Sequence, residues 1–275
     1  MMGEPLPKFD APPVVETAMS VQFARLQPFP TAIVGWFWKE FLPPLEGGAK
    51  WEKAVDAARL DDSFERFGDQ EKWGRLGLRI GSHEPNRVQI SRSDSERMIQ
   101  VQDSRFILNW MKQSEAVYPS FAQLSTEFWE LFPIFERFSR DAGCGPVEQN
   151  QWELSYINHI PKADLWQSTS EWDRVIPKLA FPTAAVAEPI AEPTSLDWRF
   201  NFPNERGRLQ VSVQNVKKDP SSDNLMQLIL TARGPVDLDK RWDLRSGFDL
   251  GHEAIVRSFA AMTSSKAHKL WKRRP

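Results

Sequence analysis

One order of predicted helices and strands occurs twice in the sequence, and this repeat constrains the fold more than any other feature does. The first series comprises a strand at 14–23, a short helix at 31–42, an irregular insertion at 43–72, a set of short strands at 73–112 and a long helix at 120–140. The second series comprises a strand at 150–160, a short helix at 164–176, a linker at 180–195, short strands at 196–233 and a long helix at 248–265. Each half is therefore predicted to be a β-α-βββ-α unit.

The repeated order predicts an α+β fold, because antiparallel strands that are followed by a single helix form a sheet with the helices packed on one face. Two such halves, residues 1–145 and 146–275, can join edge to edge into one curved antiparallel sheet, and this union removes an exposed edge from each half. We expect one continuous domain of this kind, which would resemble the saddle of TATA-binding-protein-like folds. The alternatives are two independent small domains or a chance similarity of patterns, since residue identity between the halves is weak.

The strongest local signals lie in the centre of the first half. Apolar residues alternate with polar ones in the predicted strands, as Ile99 and Val101 do with Gln100 and Gln102. The clearest helix signal is at 120–140, where a serine and a glutamine three residues later have the form of a capping box. Phenylalanine and leucine then recur three and four residues apart, which predicts one apolar stripe facing the sheet.

Four other segments have weaker signals. Residues 45–72 are rich in charge, and we expect a partly helical insertion there. Residues 76–80 alternate and predict a further strand, while 181–195 are rich in proline and alanine, as linkers are. The closing helix is predicted to begin near Asp249.

Composition and short motifs exclude several classes of protein. The formal net charge of −2 excludes a globally basic nucleic-acid binder, and no apolar run approaches the roughly 18 residues that span a bilayer. Residues 1–13 lack the apolar region of a signal peptide, and the single cysteine, Cys144, has no partner for an internal disulfide. We therefore expect a cytoplasmic protein with no membrane partner.

No motif indicates a cofactor, a metal or a catalytic residue. None of the four histidines has a second histidine or cysteine at metal-ligand spacing. The chain also lacks a phosphate-binding loop, a dinucleotide fingerprint and a nucleophile elbow. We accordingly expect no cofactor and no metal site.

The aromatic content is unusual, with 12 tryptophans and 18 phenylalanines but only 2 tyrosines. Aromatic side chains bury large areas and dominate the energetics of protein cores. Most of them fall at helical or strand spacing, which favours a thick aromatic core under the sheet. An aromatic groove for a peptide or a base is the alternative.

Uncharged amides alternate with the apolar residues of the predicted strands and should therefore point away from the helices. Such amides can hydrogen-bond a peptide backbone or a base edge, and nearby arginines add affinity for anions. A simple solvated sheet face would show the same pattern. On this side of the sheet, the polar face, the candidate partner-binding residues are Gln89, Gln100, Gln102, Arg105, Gln210, Gln214 and Gln227.

The C-terminal tail is the candidate for contact with nucleic acid. Basic residues together with an aromatic ring can bind phosphates and stack on a base. A charge run at a terminus is more often a solvated end, so both interpretations stay open. The candidate residues of the tail are Lys266, Lys269, Trp271, Lys272, Arg273 and Arg274.

Three stretches carry a resemblance to a known family. They are PKFDAPPVVETAMSVQF at 7–23, IQVQDSRFILNW at 99–110 followed by YPSF, and FDLGHEAIVRSFAAMTSSKAHKLWKR at 248–273. Together they resemble a family of uncharacterised, sporadically distributed bacterial proteins of about this length, and the similarity covers nearly the whole chain. The resemblance implies a mobile or accessory gene, including toxin–antitoxin and phage-defence settings, and it transfers no catalytic residue.

These observations favour a non-catalytic binding protein that recognises a protein or peptide partner through the sheet, as an accessory, immunity or antitoxin-like component. The first alternative is a nucleic-acid-binding module that uses the sheet face and the basic tail. The second alternative is an enzyme whose site is assembled from scattered residues. That alternative predicts a deep pocket with convergent titratable groups.

Overall fold

The chain forms an α+β structure built on one large antiparallel sheet. The computed structural model describes residues 4–44, 49–62, 87–113, 117–163, 165–179, 195–217, 224–237, 239 and 242–274. Within these ranges, no helix combines the length and the apolar character needed to cross a membrane.

The elements follow the predicted order, except that the first half has an additional strand at 51–57, inside the expected insertion. In the first half they are β1 (Val14–Phe23), α1 (Ala32–Trp36) with a π-helical turn (Phe37–Phe41), β2 (Trp51–Ala57), β3 (Arg87–Arg92), β4 (Arg97–Gln102), β5 (Arg105–Met111) and α2 (Phe121–Asp141). In the second half they are β6 (Gln149–Pro161), a 3-10 segment (Thr169–Arg174), β7 (Ser195–Asn201), a 3-10 turn (Pro203–Glu205), β8 (Arg208–Lys217), β9 (Asn224–Pro235), α3 (Leu244–Met262) and α4 (Ser265–Leu270).

The described strands form a single sheet in the order β2-β3-β4-β5-β1-β6-β9-β8-β7. Every pair of neighbours is antiparallel. The halves meet where β1 pairs with β6, in a register that sets Thr17 opposite Tyr156 and Val21 opposite Trp152. The expectation of one antiparallel sheet shared by both halves is therefore confirmed.

Helices α2 and α3 cover the same face of this sheet. Phe106, Val21 and Trp152 are successive cross-strand partners on β5, β1 and β6, so their side chains share one face. The ring of Phe106 contacts Phe128 of α2, with centroids 6.0 Å apart. Trp152 contacts Phe248 of α3 at 6.4 Å, so both long helices lie over the centre of the sheet.

The core between helices and sheet is predominantly aromatic. The predicted capping box starts α2: the Ser120 hydroxyl accepts from the backbone N–H of Gln123, and the Gln123 side chain accepts from the backbone N–H of Ser120. The apolar stripe that follows is buried, and Phe128 and Phe135 have no exposed surface. Burial of such large rings supplies much of the favourable free energy of folding.

Four segments differ from the sequence-based expectations or lie outside the described residues. Residues 51–57 of the expected helical insertion form the edge strand β2, which is exposed enough to tolerate charged side chains on both faces. Helix α3 begins at Leu244, five residues before Asp249, because Asp243 caps it by accepting from the N–H of Ser246. The expected strand at 76–80 and most of the linker at 181–195 lie outside the described residues.

Candidate functional site

The strand register places the candidate glutamines on the polar face, opposite α2 and α3, as the alternation predicts. Gln89 of β3 pairs with Gln100 of β4, and Gln102 pairs with Arg105 of β5. The neighbouring pair on each strand belongs to the core, as Val101 does with Phe106. In the second half, the polar-face residues of β8 pair across to β9, Gln210 with Thr231 and Gln214 with Gln227.

A ladder of side-chain hydrogen bonds crosses four neighbouring strands on the polar face. The Oε1 of Gln100 accepts from Arg87 Nη1 at 2.7 Å and from Gln89 Nε2 at 3.2 Å. Its Nε2 donates to Asn109 Oδ1 at 2.8 Å, and Asn109 donates to Glu16 Oε1 at 2.6 Å. Burial raises the pKa of Glu16 against the opposing effect of this hydrogen bond. Gln100 is thus buried and engaged inside the protein, while Gln89 is only half-buried.

Gln102 binds the main chain of another segment of the same protein. Its Oε1 accepts from the backbone N–H of Leu60 at 3.0 Å, and its Nε2 donates to the carbonyl of Leu60 at 3.0 Å. One side-chain amide therefore satisfies both polar groups of one residue in a segment that crosses the polar face. We refer to residues 59–62 as the crossing segment.

Arg105 holds the next residue of the crossing segment and joins it to the sheet centre. Its Nη2 donates to the carbonyl of Asp61 at 3.2 Å and to Gln22 Oε1 at 2.8 Å. Glu153 of β6 lies 3.9 Å from its guanidinium and 2.8 Å from that of Arg233. Burial lowers the pKa of Arg105, and the Glu153 carboxylate opposes this change. The guanidinium remains charged at neutral pH, because arginine is not deprotonated in proteins.

The carboxylate of Asp62 ends the crossing segment in a cluster of donors. It accepts from Arg25 Nη2 at 2.8 Å, from Arg59 Nη2 at 2.7 Å and from the hydroxyl of Ser104. Burial raises the pKa of Asp62, but the hydrogen bonds from Ser104 and Arg25 and the charge of Arg59 outweigh it, so this pKa lies below its usual value. Arg59 also pairs with Asp103 in the turn between β4 and β5.

The candidate glutamines of the second half are less buried than Gln100 and Gln102 of the first half. Gln210, Gln214 and Gln227 are all half-buried, whereas Gln102 is 1% exposed. Gln214 Nε2 lies 3.2 Å from the hydroxyl of Ser212, and Gln227 Nε2 lies 3.0 Å from His159 Nε2. The polar face therefore has two parts. At β3–β5 its side chains are bound by other residues of the chain, and at β8 and β9 they are more accessible.

The basic tail is folded onto the protein, and its tryptophan belongs to the core. Stacking on a base needs an open ring, but Trp271 is 5% exposed and stacks on Phe259 with centroids 5.2 Å apart. The expectation that Trp271 is free to stack on a base is therefore wrong. The cations Lys266, Lys269, Lys272, Arg273 and Arg274 are exposed.

The function of this protein has to be inferred from the geometry of the site, because two comparisons with known proteins gave no match. No protein-family model matches the chain, and no curated protein matches its sequence. Sequence reasoning found the polar face through the alternation of its strands. It missed the crossing segment, because Arg59-Leu60-Asp61-Asp62 has no periodicity and contacts residues about 40 positions away.

Proposed function

We propose that this protein is a non-catalytic binding protein that recognises an extended, acidic segment of a protein or peptide partner on its polar face. The observation that carries the proposal is the pair of hydrogen bonds from the Gln102 amide to the N–H and carbonyl of Leu60. A side-chain amide that hydrogen-bonds the backbone N–H and the carbonyl of one residue recognises an extended backbone, whatever the side chain of that residue is.

The charges around the crossing segment support an acidic partner. Asp62 is held by two arginines and a serine, and Arg105 binds the carbonyl that precedes it. Arginine holds carboxylates and carbonyls in a fixed geometry through its planar set of donors. A partner segment with an aspartate in this position would make the same contacts as the chain's own Leu60-Asp61-Asp62.

The crossing segment would act as an intramolecular competitor for this site. A tethered segment is present at a high effective concentration, in the millimolar range for short linkers. A partner that binds more tightly displaces it from Gln102 and Arg105. Such competition suits a protein that must release its own segment before it engages a partner.

We further propose that the two halves are a duplicated unit in a saddle-like sheet. The sheet order supports this, since β5, β4 and β3 follow β1 outward, just as β9, β8 and β7 follow β6. The family resemblance supports an accessory, immunity or antitoxin-like role. A reducing cytoplasm is supported by the buried, unpaired thiol of Cys144.

The proposal is tested with a fluorescent peptide of sequence Ala-Arg-Leu-Asp-Asp, which copies residues 58–62. Leu60→Pro removes the backbone donor to Gln102 and weakens the competitor, so we expect this variant to bind the peptide at least about fivefold more tightly than the parent chain, by fluorescence anisotropy. Adding Gln102→Ala to Leu60→Pro should abolish this gain. Adding Gln214→Ala, the matched control on β8, should preserve it.

Equal binding by the parent chain and Leu60→Pro, or binding that survives Gln102→Ala, would exclude this part of the polar face as a peptide site. A second peptide, Ala-Arg-Leu-Asn-Asn, tests the acidic requirement and should bind more weakly. Thermal unfolding of each variant checks that the fold is retained.

The nucleic-acid alternative is tested on the tail without deleting it, because removal of the buried Trp271 would disturb the core. Replacing Lys266, Lys269 and Lys272 by serine removes three exposed charges from the tail. Loss of binding to a single-stranded oligonucleotide, with a smaller salt dependence, would favour this alternative. Unchanged or absent oligonucleotide binding favours the peptide proposal.

A further inference from the structure

A cavity of about 390 Å³ lies on the helix-covered face of the sheet, which is opposite the polar face. Its floor includes Tyr156 and Asn158 of β6 and Leu230 of β9. Phe121 at the start of α2 and Ile255 of α3 supply apolar walls. Cavities of this size, largely apolar with a few polar groups, are typical of small-molecule sites.

Residues near both ends of the described chain close one side of the cavity. Phe9 forms a β-bridge with Arg273, and the N–H of Arg274 donates to the carbonyl of Lys8 at 2.8 Å. The ring of Phe9 packs on Phe259 of α3, with centroids 5.4 Å apart. The wall is thus a short ribbon anchored on the core, and the buried Trp271 is part of its support.

The two tyrosines of the chain, Tyr118 and Tyr156, meet in this cavity and continue to His252. The Tyr118 hydroxyl donates to the Tyr156 oxygen at 2.9 Å, and the Tyr156 hydroxyl lies 3.0 Å from His252 Nδ1. Phe121 stacks on the imidazole at 4.1 Å and fixes the plane of the ring.

Asn158 provides an unused acceptor in the wall of the same cavity. Its Nδ2 donates to the carbonyl of Leu228 at 3.0 Å, which fixes the orientation of the amide. Its Oδ1 is buried and has no hydrogen-bond partner among the described residues, and the side chain is 1% exposed. A buried acceptor without a partner is costly, and a bound donor would relieve that cost.

We propose that this cavity binds a neutral, mainly apolar small molecule that donates a hydrogen bond from a hydroxyl or N–H group to Asn158 Oδ1. The apolar body of the ligand lies among Phe9, Phe121, Ile255 and Phe259, and its polar group lies near Asn158 and His252. The site is separate from the proposed peptide site, and neither proposal depends on the other.

The lining groups favour a neutral ligand over an ion. Tyr118, Tyr156 and Asn158 are uncharged, and so is His252 at neutral pH, because burial lowers its pKa to about 4. The two cationic side chains among the lining residues are Lys8 and Arg274, both exposed, and Arg274 pairs with Asp10. Burying an ion without a buried counter-charge costs far more free energy than burying a hydroxyl with one hydrogen bond.

The probe for this site is N-phenyl-1-naphthylamine, a neutral aromatic molecule with one N–H donor whose fluorescence rises in apolar surroundings. We expect saturable binding to the full chain at concentrations below about 0.1 mM. Val256→Trp, which fills the cavity from α3, should abolish binding. Leu270→Trp places the same ring on an exposed position of α4 and should leave binding unchanged.

The N-methyl derivative of the probe, which lacks the N–H group, isolates the role of Asn158. In the parent chain it should bind about threefold to tenfold more weakly than N-phenyl-1-naphthylamine. In Asn158→Leu the ratio of the two affinities should fall to about one. Equal ratios in both proteins, or equal probe binding by Val256→Trp and Leu270→Trp, would overturn the proposal, as would an absence of saturable binding.

Methyl chemical shifts provide a measurement on the unmodified chain. On addition of N-phenyl-1-naphthylamine, the methyl signals of Ile255 and Leu230 should move, and that of Val55, which is exposed on β2, should not. Movement of Val55 alone, or of no methyl group, would place the probe outside the cavity and contradict the proposal.

Discussion

Gly247 of α3 packs so closely on Trp152 of β6 that a Cβ atom at position 247 would lie 2.5 Å from the indole ring. Gly251, one helical turn later, and Gly234 of β9 approach the same ring, with Cβ positions 2.8 Å and 2.7 Å away. Three glycines thus form a slot that holds a fully buried tryptophan between the sheet and its helix. The absence of side chains lets α3 approach the sheet closely at this point.

Gly247→Ala should therefore destabilise the protein, although alanine is the better helix former by about 1 kcal/mol. A methyl group at 2.5 Å forces the indole or the helix to shift, and we expect the free energy of unfolding to fall by about 1–3 kcal/mol, measured by urea denaturation. Gly35→Ala in α1 is the matched control. It has open space around its Cβ position and should be neutral or stabilising. Similar losses of unfolding free energy in the two variants would show that Gly247 is not needed for the close packing of α3 on Trp152.

Phe128→Ala should lower the free energy of unfolding by about 3–5 kcal/mol, because this fully buried ring contacts Phe106, Phe132 and Phe248. Phe200→Ala is the control for the same substitution at a 54% exposed position and should cost far less. Both values can be taken from the midpoints of urea unfolding. An unchanged midpoint for Phe128→Ala would show that α2 does not pack on β5 as described.

Removing one partner of the ion pair between Arg97 of β4 and Glu127 of α2 should cost more stability than replacing both partners by apolar residues. Two parallel hydrogen bonds of 2.6 Å and 2.7 Å join Arg97 to Glu127, and Arg97 is buried. Glu127→Ala removes both hydrogen bonds from a buried guanidinium and leaves it the carboxylate of Glu96, which is 3.9 Å away. We expect a loss of about 1–3 kcal/mol in the free energy of unfolding, reduced because Glu127 is partly exposed. The double variant Arg97→Met with Glu127→Leu should lose less than Glu127→Ala alone.

The exposed pair of Glu253 and Arg257 on α3 serves as the control for this experiment. Glu253→Ala should change the free energy of unfolding by at most about 0.5 kcal/mol, since exposed pairs contribute little. A cost for Glu127→Ala as small as that for Glu253→Ala would mean that the β4–α2 pair is no stronger than a surface contact.

His252 should make stability fall as the pH decreases from 7.5 to 5. Burial lowers its pKa to about 4, against the effect of Glu253, while the pKa in the unfolded chain is near 6.5. Between these values the unfolded state binds more protons than the folded state, so acid favours unfolding. The expected loss from this residue between pH 7.5 and pH 5 is about 1–2 kcal/mol.

His252→Gln removes this titration and should flatten the pH dependence of the free energy of unfolding by that amount. His268, whose pKa is also lowered by burial, titrates in both proteins and cancels in the difference. Work above pH 5 avoids protonation of Asp62, whose pKa is below its usual value. Parallel pH profiles for the two proteins would contradict the buried, neutral state of His252.

Local sequence patterns were sufficient for much of the fold. The capping box of Ser120 and Gln123 and the phenylalanine stripe predicted α2 to within a residue of its observed start. The alternation at 87–111 predicted three strands and the side chains of their polar face. These features are visible in sequence because helix and strand have fixed side-chain periods of 3.6 and 2.

Sequence alone determined the α+β class, the order of the main elements and which side chains share a face. The tertiary structure decided that β2 is a strand, since its charges fit an edge that is exposed on both faces and its partners on β3 lie 30 or more residues away in sequence. It also decided that Gln102 meets Leu60, 42 residues away, and that Tyr156 meets His252, 96 residues away. Such contacts leave no periodic trace in the chain, because they depend on which strands pair and on where a loop crosses the sheet.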